Sequence, residues 1–414
     1  MQIRPRAVND ETSERGGVSP RALGRKPSWK EPDGLRRPAR KPLALRCVRY
    51  RSVKTTSLFV VAFLITGLGT NTSCWAEPPR SLIEIKVGKE QFSGRIVAAD
   101  DRDCWVFQRD GRMSRVRMDD VDDCSEVDPR FRPFPSLELR DQLKTEFGRD
   151  FEVKATSHYI VVARNESAER YAKLFEQVYR QFHSYFVPRG FRMEEPEFPL
   201  VAVVFPDQAS FTKYCRAEGA NPKPGVVGFY LPVSNRVALY DRTTSGRTRD
   251  DDTNDTVIHE ATHQVAFNTG VHSRIGQSPQ WVVEGLATLF ESDGIRAKQS
   301  GGSSLDRINP ERFEWFQTYR RQRRVPASLE SFVRNDSAFQ RAALDAYSEA
   351  WALTFYLAES RSAELAAYLR SIAARDPLKP YTAAERLQDF RAAFGADLTL
   401  IESGFLRFHD RLAK

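Results

Sequence analysis

Residues 257–267 read Val-Ile-His-Glu-Ala-Thr-His-Gln-Val-Ala-Phe, and the spacing of the two histidines governs how the rest of the chain is read. In a helix, residues four apart share one face, about 6 Å apart along the axis. His259 and His263 on such a face can chelate one Zn²⁺ through ring nitrogens at about 2.0–2.1 Å. Glu260 is rotated off that line, so it reaches a water beside the metal rather than the metal itself. Val257, Ile258, Ala261, Val265 and Ala266 supply the apolar faces the helix needs, with Thr253 or Asn254 expected as its cap.

A catalytic zinc site needs a third protein ligand. Residues 278–291 read Ser-Pro-Gln-Trp-Val-Val-Glu-Gly-Leu-Ala-Thr-Leu-Phe-Glu. Ser278 as N-cap with Pro279 at the first position predicts a helix start. Glu284 falls among Trp281, Val282, Leu286, Leu289 and Phe290. An unpaired carboxylate is costly there, and a metal ion relieves the cost. The competing reading is an exposed carboxylate on an amphipathic helix. Thr288 and Glu291 follow at i+4 and i+7, where either can orient a ligand imidazole from behind; a solvated Glu291 fits equally well. His272, near Gly270, reads as a polar loop residue, with a substitute ligand or substrate donor as the alternative. His158, His183 and His409 are scattered and read as structural.

Charge and leader bound the rest. The chain has 414 residues and a formal charge of +8. Residues 1–56 hold 15 Lys/Arg against 5 Asp/Glu, residues 57–76 hold none, and the remaining body holds 48 against 50. That body is near neutral, so a basic groove for nucleic acid is not expected. Residues 57–70 form one apolar run behind Arg49, Arg51 and Lys54, too short for the roughly 20 residues of a spanning helix. The pattern predicts a secretory signal peptide cleaved after Ala76. Lipidation at Cys74 and an uncleaved anchor are the alternatives. Residues 1–56 read as a disordered basic tail or an early start. The mature chain is expected to be exported, to a periplasmic, cell-envelope or extracellular place, with no transmembrane domain.

Residues 77–127 alternate as short strands with an Asp110-Gly111 hairpin signal, which predicts a small antiparallel barrel or curled sheet. Its expected role is a spacer or a protein or envelope contact through residues 80–127. Cys104 and Cys124 can pair within it, leaving Cys215 as a buried thiol. A Pro-rich linker spans 128–136. In 137–414, strands are expected at 151–163, 200–205, 226–231 and 235–240, and helices at 137–147, 167–186 and 207–217. The chain is then helical almost to its end, an α+β domain.

With these residues in place, His259-Glu260-x-x-His263 followed by Trp281-x-x-Glu284-Gly285-x-Ala287 resembles the gluzincin group of zinc metallopeptidases. More widely, residues 137–360 are similar to a bacterial family of secreted gluzincin-like proteins known as a domain of unknown function. The shared blocks are Gly228-Phe-Tyr-Leu-Pro-Val-Ser-Asn-Arg-Val-Ala-Leu-Tyr-Asp and Tyr347-Ser-Glu-Ala-Trp-Ala-Leu. The resemblance implies a zincin-like domain of mixed sheet and mainly helical C-terminal part. It implies His259, His263 and Glu284 as ligands of one zinc and Glu260 as general base. Tyr347 would donate to the oxyanion, with a core tyrosine as its alternative. It also implies that residues 235–240 are a sheet edge on which an extended peptide can pair. The Gly-x-Met-Glu-Asn segment by which aminopeptidases of that group hold a free amino terminus is absent, as is the third histidine of metzincins. The expected function is zinc-dependent hydrolysis of a peptide or protein substrate. The alternative is an exported, non-catalytic zinc scaffold.

Overall fold

The computed structural model describes residues 80–164, 167–223, 225–242, 250–297 and 302–414, and of residues 250–253 the backbone alone. The leader reading of residues 1–76, with Cys74, lies outside the described residues.

Five strands form the first unit: β1 (Leu82–Val87), β2 (Glu90–Ala99), β3 (Asp103–Gln108), β4 (Met113–Arg117) and β5 (Asp123–Asp128). They pair antiparallel in the order β4-β3-β2-β1-β5, an open order rather than a closed ring. Alternation turns Ile83, Ile85, Cys104, Val106 and Val116 into one small core. Gly111 makes the β3–β4 turn at φ 87°. The fifth strand was not expected, because Asp123-Cys-Ser-Glu-Val-Asp is charged and mostly exposed. Charge on an edge strand is how a sheet avoids pairing with other chains. The linker therefore begins after Asp128. β2 and β1 stand between β3 and β5 in the sheet, and no disulfide joins Cys104 to Cys124.

The second sheet follows α1 (Ser136–Phe147). Its elements are β6 (Glu152–Ala155), β7 (Tyr159–Ala163), α2 (Ala168–Phe186), β8 (Leu200–Phe205), α3 (Gln208–Ala217), β9 (Gly228–Leu231) and β10 (Arg236–Tyr240). The order is β6-β7-β8-β10-β9. β7–β8 and β8–β10 are parallel, and the outer pairs are antiparallel. Parallel neighbours need crossovers, which α2 and α3 supply. Every residue of β7 and β8 is buried, because both sheet faces are covered. Tyr159 and Val161 join Phe175 and Phe182 on one side. Ile160 and Val162 join Leu139 and Phe211 on the other. Each such apolar side chain contributes about 1.5–3 kcal/mol by burial, so a one-residue slip that exchanged the faces is strongly disfavoured. The strand over 235–240 was expected at the sheet edge. It is β10, an inner strand, and β9 is the outer one.

The remainder is helical: α4 (Asp250–Asn268), α5 (Gln280–Phe290), α6 (Asp293–Arg296), α7 (Pro310–Gln322), α8 (Leu329–Arg334), α9 (Ser337–Arg341), α10 (Ala343–Ser360), α11 (Ser362–Ala373), α12 (Ala383–Phe394) and α13 (Leu398–Leu412). The chain is thus α+β with a helical C-terminal part. α4 starts at Asp250, so Thr253 and Asn254 lie inside it rather than capping it. Pro279 itself is the cap residue of α5, and Asp336 Oδ1 accepts from the Gln280 N–H at 3.0 Å in place of the expected Ser278 cap. α5 and α10 cross at backbone distance: a Cβ on Gly285 would stand 2.1 Å from Thr354 Oγ1 and 2.7 Å from the Ala350 carbonyl. Among the described residues, no helix is long and apolar enough to cross a membrane.

Candidate metal centre

Helix α4 is anchored by Val257, Ala261 and Val265, each at most 0% exposed, on the face toward the sheet and α5. That anchoring turns His259 and His263 inward, one turn apart, with their Nε2 atoms 3.1 Å from each other. Helix α5 approaches from the side and is buried from Trp281 to Phe290. It places Glu284 Oε2 at 3.4 Å from both Nε2 atoms. Glu284 is 1% exposed, so the exposed-carboxylate reading is set aside. Among the described residues, His259, His263 and Glu284 are the one group of three or more His, Cys, Asp and Glu side chains able to hold a metal ion.

The donor triangle can be tested against a metal directly. Tetrahedral ligands about 2.0–2.1 Å from one zinc stand about 3.3–3.4 Å apart. The observed edges of 3.1, 3.4 and 3.4 Å match that figure. Two neutral imidazoles and one carboxylate are also a ligand set zinc accepts, so the residues present fit the ion.

The support behind the donor triangle comes from the end of α5 and from α7 with the residue that caps it. His259 Nδ1 meets Glu291 Oε1 at 2.8 Å. A carboxylate in that position favours a proton on Nδ1, which leaves Nε2 as the atom that faces a metal. Glu291 Oε2 accepts from Asn309 Nδ2 at 3.0 Å and from Arg312 Nε at 3.3 Å. Burial works to raise the Glu291 pKa, but Arg312 and His259 outweigh it and hold the carboxyl well below its usual range. Of Thr288 and Glu291, Glu291 is the one in contact with His259. Thr288 spends its hydroxyl on the Glu284 and Gly285 carbonyls of its own helix, at 2.7 and 3.1 Å. Asn309 and Arg312 had no local signal, since they enter from α7 and the turn before it.

Glu260 follows His259 on α4 and is buried. Its Oε2 accepts from the Tyr230 N–H of β9 at 2.5 Å. Close approach of α4 to β9 depends on Gly228, where a Cβ would stand 2.7 Å from Thr256 Cγ2 and 3.2 Å from Glu260 Cγ. Tyr347 comes in on α10 and is buried. Burial first, then the charges of Glu284 and Glu260, push its phenol pKa well above the usual value, so it is a hydroxyl donor at any physiological pH. It also packs edge-on against Phe339, which is the core role weighed as its alternative. His272 is buried beside the Phe267 ring at 5.1 Å and is outside the ligand group. His158 pairs with Glu176 at 2.9 Å, His183 stacks near Tyr179, and His409 contacts the Ala352 carbonyl at 3.0 Å. None of the three belongs to the His259–His263–Glu284 group.

The fold and site define an α+β protein with a buried two-histidine, one-carboxylate cluster. Residues 253–379 match the family model described as "Protein of unknown function (DUF1570)", a span that includes all three cluster residues, Glu260 and Tyr347. No curated protein is matched. Among solved structures, the chain is similar to a mutant two-domain M1 zinc metallopeptidase bound to L-arginine, at 14% identity and a TM-score of 0.31, over 63% of this chain and 51% of that one. It is also similar to the M1 zinc metallopeptidase from Deinococcus radiodurans, at 14% identity and a TM-score of 0.31, over 62% and 50%. The chain spans about half the length of these structures.

Proposed function

We propose that this chain is an exported zinc-dependent peptidase of gluzincin type, with His259, His263 and Glu284 as ligands on a zincin-like domain. The observation that carries the reading is the donor triangle of 3.1–3.4 Å edges, with the non-ligand carboxylate Glu260 next to His259 on the same helix. A zinc ion bound there supplies Lewis acidity toward a carbonyl oxygen and lowers the pKa of water toward about 7. The protein's own groups do the rest. Glu260 takes the proton of the attacking water and returns it to the leaving nitrogen. Tyr347 donates its hydroxyl to the oxyanion. Glu291 holds the His259 ring in one tautomer while this happens.

Burial of the three ligands to 1–4% exposure favours a second reading, a structural zinc scaffold. Structural zinc sites close with four protein ligands, whereas catalytic ones use three, and three are present here among the described residues. The deciding experiment is a peptide-library digest with wild type and Glu260→Gln, both zinc-loaded. The peptidase reading expects cleavage by wild type and a loss of about 10²–10⁴-fold in the variant with zinc retained. Equal cleavage by both proteins would remove Glu260 from the mechanism. No cleavage by either would leave the scaffold.

A further inference from the structure

The N-terminal β unit is expected to be a spacer or a protein- or envelope-contact module. In the structure it also contacts the turn that follows β9. Met113 N–H, at the start of β4, donates to the Val233 carbonyl between β9 and β10 at 2.7 Å. Arg274, six residues beyond the end of α4, donates through Nη2 to two carbonyls at once: Gly111 in the β3–β4 turn at 2.8 Å and Pro232 at 3.1 Å. Its guanidinium lies over the Phe107 ring at 4.5 Å and near Phe198 at 5.9 Å. Gly111 fits only as glycine: its φ is 87°, and a Cβ would stand 3.1 Å from Phe198 and 3.3 Å from Asn235 Nδ2. Two-pronged ion pairs, Arg112 with Glu218 and Arg95 with Glu197, flank the seam.

From this seam a short path leads to the metal centre. Asn235, at φ 60°, accepts from Tyr230 Oη at 2.9 Å and from Asn268 Nδ2 of α4 at 2.7 Å. Gln264 Nε2 of α4 donates to the Asn235 carbonyl at 2.7 Å. Tyr230 N–H then holds Glu260 Oε2 at 2.5 Å. β9 is an outer strand with a neighbour in its sheet on one side only. Its position on the other side rests on these cross-contacts.

We propose that the N-terminal β unit is a brace for the metal centre: through Arg274 and the Gly111 turn it fixes β9, and β9 fixes the Glu260 carboxylate. Arg274 is thus a positioning residue. The Glu260 step rests on the peptidase reading, but the bracing of β9 does not.

The test is hydrogen exchange on the full-length chain, comparing peptides over 226–240 with peptides over β7 and β8. The variants are Arg274→Ala, Arg274→Lys and, as an independent route, Gly111→Ala, with zinc content measured on each. The brace predicts exchange over 226–240 about tenfold faster in Arg274→Ala and in Gly111→Ala. It also predicts β7 and β8 unchanged, zinc retained and partial recovery in Arg274→Lys. Loss of protection confined to 103–117, with 226–240 at the wild-type rate, would overturn it. Uniform acceleration across β7 and β8 would also overturn it, since the unit would then be a general support. Because exchange and zinc content are read without substrate, a failure of peptide cleavage leaves the outcome intact.

Discussion

Glu291→Gln isolates what the carboxylate behind His259 contributes. Three donors converge on its two oxygens: His259 Nδ1–H at 2.8 Å, Asn309 Nδ2–H at 3.0 Å and Arg312 Nε–H at 3.3 Å. Glutamine keeps the shape but offers one acceptor oxygen and presents an NH₂ group where the other stood. Either His259 or the Asn309–Arg312 side must then face a donor. One unmet buried donor costs about 1–3 kcal/mol, and buried Arg312 loses its counter-charge as well. Loss of a partner behind a ligand histidine weakens metal binding by about 10–100-fold, which is about 1.4–2.7 kcal/mol, the same size as the lost bond. Competition with a chromophoric chelator should therefore give a zinc Kd raised about 10–100-fold in Glu291→Gln. Asn309→Ala leaves the His259–Glu291 bond in place and should stay within about threefold of wild type. A Glu291→Gln protein that binds zinc as tightly as wild type would refute the orienting role.

Two further outcomes follow from packing and burial. Gly285→Ala sets a methyl against Thr354 Oγ1 and the Ala350 carbonyl, so α5 and α10 must separate. The expected cost is about 1–3 kcal/mol, read as a lower urea midpoint at unchanged slope, together with reduced zinc occupancy because Glu284 moves with α5. His409 lies among aromatic rings, and burial depresses its pKa to about 4. The unfolded chain takes up that proton near the usual value of about 6.5 and the folded chain only near 4. Stability should fall as pH drops from about 6.5 to about 4, by about 3 kcal/mol from this group, and level off below. His409→Leu should flatten that limb in urea melts; an unaltered slope would mean His409 is not its source.

Much of the site was legible because its signals are local. His259, Glu260 and His263 lie within five residues on one helix, and Glu284 stands out as a carboxylate in an apolar run. The central strands were legible as unbroken apolar segments. What escaped was set by distant partners. β5 is acidic and exposed, so nothing in its own composition marks a strand. Whether β9 or β10 was the outer strand depended on β8 pairing with β10 across the α3 crossover. Asn309 and Arg312 acquire a role only when α7 folds back on Glu291. Arg274 reads as a loop arginine until the Gly111 turn, 163 positions earlier, docks on it. Tyr347 falls between these cases: the charges of Glu284 and Glu260 act on its phenol, and its ring packs on Phe339.

The proposed metal centre is made by two helices and three side chains. Elemental analysis of the purified chain, wild type beside His263→Ala, Glu284→Ala and Glu260→Gln after zinc reconstitution, tests it most directly. The account predicts about one zinc per chain in wild type and in Glu260→Gln, and little in the other two. No zinc in wild type, or full zinc in Glu284→Ala, would contradict it.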